Sequence, residues 1–280
     1  MRGTRLWLLV GLIALLVSGF AVAGCGDDDD EGDGGEPAAE DLGLITEGTL
    51  TVGTDTPFPP FEIGQPPDIS GYDIDVLNAV AEQLGLTAEY TDTSFDTIFR
   101  DVAAGQYDIA AAASTITPGR QKTVNFSDPY YEAQQALLVT EGSDIASVED
   151  LSDAIVGAQD GTTGEVYAND ETDAAEVRGF PEGPDAVSAL ITGQVDAVII
   201  DQPVAVDALE KQGGVEIAEE IPTNELYGFA MSKENPGLLE AVNGGLQTIK
   251  DDGTIADLYE QYFQAEPPDS VLTGTTDNPS

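Results

Sequence analysis

Arg120 is the basic residue whose position best suits anion binding. Removing residues 1–24 with Arg2 and Arg5 would leave only seven Lys and Arg residues, and Arg120 is one of them. A guanidinium stays charged and forks onto the two oxygens of a carboxylate. Arg120 is therefore a candidate carboxylate-binding residue, and a surface ion pair with a neighbouring acid is the alternative.

Two aspartates end predicted strands. Asp201 follows the apolar run Val198–Ile200 and precedes Gln202-Pro203, whereas Asp55 follows the predicted strand Leu50–Thr54. Open α/β sheets bind ligands at the carboxyl ends of their strands, which makes both carboxylates candidate binding groups. The alternatives are local: Asp201 can cap the helix that starts near Pro203, and Asp55 can cap a turn.

Gly161-Thr162-Thr163-Gly164 is typical of the start of a helix. Such a start presents backbone N–H groups to an anion, although a plain helix cap explains the threonines equally well.

Enzymatic and metal chemistry find little support in the sequence. The chain has no histidine and a single cysteine, Cys25, so disulfides, cysteine-cluster zinc sites and Cys-pair redox chemistry are excluded. No pairing of a nucleophile with a base is visible. Asp27–Asp30 could be read as a calcium site, but a solvated linker is the favoured interpretation. We expect no cofactor and no metal.

The chain is strongly acidic. It has 53 acidic and 9 basic residues and a net charge of −44, which becomes −46 without Arg2 and Arg5 because residues 1–24 contain no acid. Nucleic-acid binding is excluded because it needs clustered Lys and Arg. The excess is spread along the chain, which indicates a surface property. A salt-rich habitat, where screening relieves self-repulsion, is one hypothesis.

The N-terminus predicts export and lipid attachment. Arg2 and Arg5 precede the apolar run Leu6–Val17, and Val22–Gly24 precede Cys25. This order is typical of a signal peptide over residues 1–24, and Val22–Cys25 resembles a bacterial lipobox, with Val22 where leucine is commoner. Cys25 would then carry a diacylglyceryl anchor; an ordinary signal peptide with a chance cysteine is the alternative. Residues 25–43 are expected to form a lipidated, acidic, flexible linker, and no later stretch is expected to span a bilayer.

Beyond the linker, strand and helix patterns alternate. A strand at Leu50–Thr54, a helix bearing Val76–Leu84, a helix at 96–104 and a strand at Tyr107–Ala111 predict a parallel sheet covered by helices. The same order restarts at Ala154–Ala158. It continues through a helix near 185–192 to a strand at 195–200, which indicates two similar α/β lobes. Pattern alone does not assign the two helices after Pro222 to either lobe.

Several segments, in order, resemble the polar-amino-acid family of periplasmic solute-binding proteins, the family 3 substrate-binding lipoproteins of ABC importers. The resemblance runs from about Leu50 to Phe263, and its residues are Gly53–Glu62, Gly71–Asp75, Thr115–Arg120, Phe126–Tyr131 and Asp251–Thr254. It implies an α/β clamp of two lobes, each a mostly parallel sheet flanked by helices, joined by two hinge strands. Lobe 1 would comprise residues 44–135 and 226–265, and lobe 2 residues 136–225. Hinges would lie near 136–139 and 222–227, and residues 266–280 would be a disordered tail.

The resemblance also implies a ligand site. Arg120, Thr115 and Thr163 would hold the carboxylate of an amino acid, Asp201 its ammonium, and the backbone carbonyl of Ala113 would face it. Aromatic rings at Phe58 and Phe95 would enclose the ligand side chain, with Asp55 at its polar end; core packing is the alternative for both rings. Gln159, itself a candidate ligand-binding residue, and Ile200 stand where glutamine-binding relatives carry a lysine and a histidine, which argues against a strict glutamine pocket. Asp55 and the lack of a cation to meet an acidic side chain favour a polar neutral or cationic amino acid over glutamate or aspartate.

The function implied is extracytoplasmic binding of an amino acid for an ABC permease, without catalysis, by a monomer anchored to the outer face of the cell membrane. Two alternatives remain: an enzyme on the same fold, similar to cyclohexadienyl dehydratase, and a ligand-sensing lipoprotein.

Overall fold

The computed structural model describes residues 42–279. The predicted signal peptide, Cys25 and most of the acidic linker lie outside the described residues. The strands are β1 (Thr49–Thr54), β2 (Ile63–Gln65), β3 (Asp68–Ser70), β4 (Thr87–Asp92), β5 (Ile109–Ala110), β6 (Val124–Phe126), β7 (Tyr131–Thr140), β8 (Ile155–Gln159), β9 (Glu176–Phe180), β10 (Ala197–Asp201), β11 (Val215–Tyr227) and β12 (Ala230–Ser232). The helices are α1 (Tyr72–Gln83), α2 (Phe95–Ala103), α3 (Thr163–Asp170), α4 (Gly183–Ile191), α5 (Gln202–Gln212), α6 (Pro236–Asp251), α7 (Thr254–Phe263) and α8 (Asp269–Leu272).

Two five-stranded sheets confirm the two-lobed α/β architecture. The first has the order β4-β1-β5-β12-β6 and the second β11-β7-β10-β8-β9. In each, three strands are parallel, as the strand–helix–strand order predicts, while the remaining two pairings are antiparallel. The antiparallel pairings all involve β7 or β12. Strand β7 takes the chain from the first lobe into the second, and β12 follows its return to the first lobe.

Strands β7 and β11 connect the lobes side by side. Their pairing begins with Val215 opposite Thr140 in the second sheet and ends with Tyr227 opposite Tyr131 at the first lobe. Residues 136–139, the predicted first hinge, lie within the second sheet and pair with β10. The β7–β11 register is interrupted between Ile221 and Glu225, within the second predicted hinge.

Helix α1 shows why the predicted elements form. Val76, Leu77 and Val80 form one buried face, and Gly85 takes the left-handed backbone conformation just after the helix ends. Gly71 occupies the cap position at the start of the helix, and no side chain caps it. Asp73 is fully buried and bonds elsewhere, as described below.

The final helices pack on the first lobe. Strand β12 lies in the first sheet, and a Cβ on Gly245 of α6 would lie 2.9 Å from Val80 of α1, so the two helices are in close contact. Phe263 of α7 joins an aromatic cluster with Phe61, Tyr72, Tyr131 and Tyr227, whose ring centroids are 4.6–5.6 Å apart in most pairs. Because Tyr131 and Tyr227 belong to the connecting strands, this cluster fixes their ends to the first lobe.

The predicted disordered tail, residues 266–280, is ordered as far as the structure describes it. Residues 269–272 form α8, and Val271 is fully buried. Asn278 hydrogen-bonds both backbone groups of Phe126, on the edge strand β6. The tail is polar in composition but gains partners from the unpaired edge of β6.

Leu42 and Gly43, the last residues of the predicted flexible linker, are also fixed. Leu42 is buried, and its carbonyl accepts a hydrogen bond of 2.8 Å from Asn235 Nδ2. Across residues 42–279, no helix has the length and apolar character needed to cross a bilayer.

Candidate functional site

One narrow cleft, partly open to solvent, lies between the lobes, and its free volume is about 10 Å³. This is room for about one water molecule, so the lobes lie close together around it. All nine residues predicted for ligand binding line it, together with Ala112 and Thr162: Asp55, Phe58, Phe95, Ala113, Thr115, Arg120, Gln159, Thr163 and Asp201. The structure thus brings the predicted residues together, while their contact with a ligand stays a prediction.

Arg120 reaches across the cleft. Its Nη1 donates to the carbonyl of Thr115 at 2.7 Å, and its Nη2 donates to the carbonyl of Gly161, in the second lobe, at 3.0 Å. Its guanidinium carbon lies 5.0 and 4.8 Å from the ring centres of Phe95 and Phe99. Burial lowers the pKa of Arg120 to about 10, opposed by the charges of Glu225 and Asp201, so the guanidinium is charged at neutral pH. Stacking on two rings fixes its plane.

Thr115 and Thr163 both donate to a carboxylate that the sequence analysis did not include. Glu225 Oε2 accepts hydrogen bonds from Thr115 Oγ1 at 2.6 Å and from Thr163 Oγ1 at 2.7 Å. A hydroxyl has one proton to donate. Both hydroxyl protons are used by Glu225, so the two oxygens could only accept a hydrogen bond from a ligand, which suits an ammonium better than a carboxylate; Thr163 Oγ1 also accepts from Gln135 Nε2 at 3.4 Å.

Asp201 is buried and does not cap the helix that follows it. It occupies the cap position of α5, but its side chain makes no capping hydrogen bond and instead accepts one from Gln135 Nε2. Burial, and secondly the charge of Glu225, raise the pKa of Asp201 to about 8. A buried carboxyl of this kind is stabilised by a cation, because a nearby positive charge favours its ionised form.

Asp55 and Gln159 form a polar contact between the lobes. Gln159 Nε2 donates to Asp55 Oδ2 at 2.6 Å, and the backbone N–H of Phe95 donates to Asp55 Oδ1 at 3.1 Å. Burial raises the pKa of Asp55 to about 6 although both hydrogen bonds lower it. Glu182 lies nearby, and burial and the charge of Asp55 raise its pKa to about 7. This part of the site is acidic, and Gln159 contributes a neutral donor to it.

The two predicted aromatic residues contact different parts of the site. Phe95 contacts both the acidic and the basic part of the site: its N–H donates to Asp55, and its ring packs against Arg120. The Phe58 ring contacts the start of α4, where a Cβ on Gly183 would lie only 3.0 Å from it. Both rings are buried, so they form apolar walls.

Ala113 is held in place from behind. It has a left-handed backbone (φ 43°), unusual for alanine, and its N–H donates to Asp73 Oδ2 at 2.8 Å. Tyr130 donates to the same oxygen at 2.6 Å. Glu62 lies beside Asp73, and its pKa is raised well above the ordinary value, first by burial and then by the charge of Asp73.

Sequence reasoning missed Glu225 and Gln135. Both lie on the connecting strands, which look like ordinary sheet strands in sequence. The only signal was Pro222-Thr223-Asn224, which interrupts the alternation of β11 just before Glu225. Thr162 is the plain helix cap: its Oγ1 accepts from the N–H of Glu165 at 3.1 Å.

Two α/β lobes joined by two strands, with polar groups from both lobes around one cleft, define a two-lobed ligand-binding protein. The sequence profile of the bacterial extracellular solute-binding proteins, family 3, matches residues 50–265. The chain belongs to this family.

Individual relatives show the same relationship. The ABC transporter arginine-binding protein 1 of Escherichia coli (strain K12) is 30% identical over 220 residues, covering 76% of this chain and 90% of the relative. The solved structure of an ancestral arginine-binding protein bound to glutamine is 39% identical, with a TM-score of 0.75 over 79% of this chain and all of the other. The ancestral amino acid-binding protein AncCDT-1, described as a precursor of cyclohexadienyl dehydratase, is 38% identical, with a TM-score of 0.72 over 77% of this chain and 96% of the other.

Proposed function

We propose that this chain binds a polar or cationic L-amino acid between its lobes and delivers it to an ABC permease. The observation that carries this proposal is the charge arrangement of the cleft. One guanidinium, Arg120, lies near Asp201 and Glu225, and a second acidic group around Asp55 lies apart from it. A zwitterion that places its carboxylate on Arg120 and its ammonium on Asp201 would pair both charges.

The second acidic group indicates the ligand side chain. Asp55 and Glu182 come from different lobes, and the first charge that raises the pKa of Glu182, after burial, is that of Asp55. A cationic or hydrogen-bond-donating side chain would relieve this repulsion, whereas an acidic one would add to it. Arginine, lysine and glutamine are therefore the candidates, and glutamate and aspartate are disfavoured.

Isothermal titration of the purified full chain with these five amino acids tests the proposal. We expect one of arginine, lysine or glutamine to bind with a dissociation constant on the order of micromolar, which corresponds to about −8 kcal/mol. Loss of binding in Arg120→Ala and Asp201→Ala is expected. Failure of arginine, lysine and glutamine to bind a folded sample would contradict the proposal.

We further propose that Cys25 carries the lipid that anchors the protein to the outer face of the membrane. The support is the order of Arg2, Arg5, an apolar run and Val22–Cys25 in the sequence. Mass spectrometry of the protein from its host should show a diacylglyceryl mass that Cys25→Ala lacks. A protein cleaved elsewhere and free of lipid would refute the anchor.

We propose that the protein acts as a monomer and binds its ligand without catalysing a reaction. The support is that the relatives cited above are named as binding proteins and that the chain has no histidine. Incubation with cyclic carboxylates of the kind that dehydratases use should leave them unchanged. Turnover that Asp201→Asn abolishes would favour an enzyme instead.

A further inference from the structure

An irregularity of its strand places Glu225 against Thr115 and Thr163, two residues that line the cleft. Between Ile221 and Glu225, β11 has three residues where β7 has one between Gln135 and Ala133, and Asn224 takes a left-handed backbone with φ 51°. Glu225 is only 8% exposed. In a regular strand Thr223, and not Glu225, would pair with Ala133, so the two extra residues put the carboxylate at this position.

The carboxylate of Glu225 joins three parts of the molecule. Its Oε2 accepts from Thr115 in the first lobe and from Thr163 at the start of α3 in the second, and its Oε1 accepts from Gln135 Nε2 on β7 at 3.1 Å. Hydrogen bonds to a charged acceptor are roughly twice as strong as neutral ones. Glu225 lies opposite Ala133, on the first-lobe side of the irregularity, so this bond from Thr163 joins the two lobes.

The same irregularity lies between two fixed regions. Tyr131 and Tyr227 are held in the aromatic cluster of the first lobe, whereas Ile221 and Gln135 pair within the second sheet. A change in the angle between the lobes is therefore absorbed near residues 222–224, next to Glu225.

We propose that Glu225 is a positioning residue that couples ligand binding to closure of the lobes. Its hydrogen bond from Thr163 favours the closed arrangement, and its bonds from both threonines orient their lone pairs toward the ligand. The part of this proposal that concerns the ligand rests on the proposed function, whereas the part that concerns closure does not. Removal of the carboxylate shifts the protein toward open forms and speeds release of the ligand.

The test measures closure and release in the full chain. Spin labels on Glu82→Cys of α1 and Glu210→Cys of α5, both exposed, report the distance between the lobes, with and without arginine, lysine or glutamine. We expect Glu225→Gln to lengthen the mean distance in the absence of amino acid and to raise the dissociation rate by about tenfold or more. Glu220→Gln is the matched control, because it makes the same charge change at an exposed position of the same strand.

A second variant, on the other side of the same hydrogen bond, tests the proposal even if Glu225→Gln does not fold. Thr163→Val removes the hydroxyl with little change of shape and is expected to reproduce the effect of Glu225→Gln. The effect of the double variant should be little larger than that of either single variant, because both substitutions remove the same hydrogen bond between Thr163 and Glu225. Unchanged distances and dissociation rates in both single variants, or fully additive effects, would overturn the proposal.

The same data separate the two proposals. If no amino acid binds the wild type but Glu225→Gln still opens the lobes, the proposed function fails and the role of Glu225 in closure stands. If amino acids bind the wild type and the variants behave like Glu220→Gln, the role of Glu225 fails and the proposed function stands.

Discussion

Gln159 of the second lobe donates a hydrogen bond to Asp55 of the first, with 2.6 Å between Nε2 and Oδ2. The neutral amide of Gln159 gives the Asp55 carboxylate a hydrogen-bond donor but does not neutralise its charge. The acidic character of this part of the cleft therefore depends on residue 159.

Replacing Gln159 by lysine should change the ligand preference. An ammonium beside Asp55 would neutralise it and repel a cationic side chain, so Gln159→Lys is expected to weaken binding of arginine or lysine at least about tenfold relative to glutamine. Titration with the three amino acids measures this. Gln194→Lys, an exposed position of the same lobe, is the control, and equal losses for all three ligands would contradict the prediction.

Arg120 should not be replaceable by lysine. Its planar guanidinium donates to two carbonyls and stacks on Phe95 and Phe99, which a lysine ammonium cannot do together. We expect Arg120→Lys to lose about tenfold to a hundredfold in affinity by titration calorimetry. Arg178→Lys, which changes a surface pair with Glu176, should bind as the wild type does. Wild-type affinity in Arg120→Lys would argue against a forked carboxylate contact.

Binding should release a proton. The pKa of Asp201 is raised to about 8, so below pH 8 the carboxyl is largely protonated, and an arriving ammonium favours its ionised form. Affinity is therefore expected to increase as pH rises from about 6 to 8. Calorimetry in buffers of different ionisation enthalpy measures the proton. Asp201→Asn should bind weakly and without this pH dependence, and a flat profile in the wild type would refute the prediction.

Thermal stability should fall as pH rises from about 5 to 8. The pKa values of Asp55 and Asp73 are raised to about 6 and that of Asp201 to about 8, chiefly by burial. In this window the folded state binds protons that the unfolded state has lost, so raising the pH favours unfolding. Melting temperatures at high salt, which screens the acidic surface, measure the slope.

Glu62→Gln provides the matched comparison for this pH dependence. Glu62 is fully buried with a raised pKa, and a neutral glutamine at this position should make the slope shallower. Glu82→Gln, on the exposed side of α1, should leave it unchanged. Identical slopes in both variants would show that Glu62 does not contribute to the pH dependence.

The tail should contribute to stability. Asn278 Oδ1 accepts from the N–H of Phe126 and its Nδ2 donates to the carbonyl of Phe126, each at 2.8 Å. Asn278→Ala is expected to cost about 1–3 kcal/mol, or several degrees of melting temperature. Asn169→Ala, which removes a bond within α3 at an exposed position, is the control. Equal melting temperatures for the wild type and Asn278→Ala would show that the tail is not fixed in solution.

The sequence predicted most elements of the two lobes because their signals are local. Val76, Leu77 and Val80 recur on one helical face, and Val198–Ile200 are an uninterrupted apolar run of a buried strand. The family resemblance placed α6 and α7 on the first lobe, which periodicity does not do because an amphipathic helix fits any apolar surface. Tail order was missed because a polar segment becomes ordered only through partners distant in sequence, such as Phe126 for Asn278.

Residue types at strand ends determined which side chains surround the cleft, since the carboxyl ends of parallel strands meet at one edge. Asp55 after β1 and Asp201 at the end of β10 follow from this rule. Only the tertiary structure decided what these groups bond to. The local sequence allows Asp201 either to cap α5 or to bond Gln135, and the structure shows the second. Glu225 bonds Thr115 and Thr163, which are 110 and 62 residues away, and the irregular backbone at Asn224 positions it to do so. Hydrogen-bond partners at such separations are chosen by packing of the whole chain, which local sequence patterns do not encode.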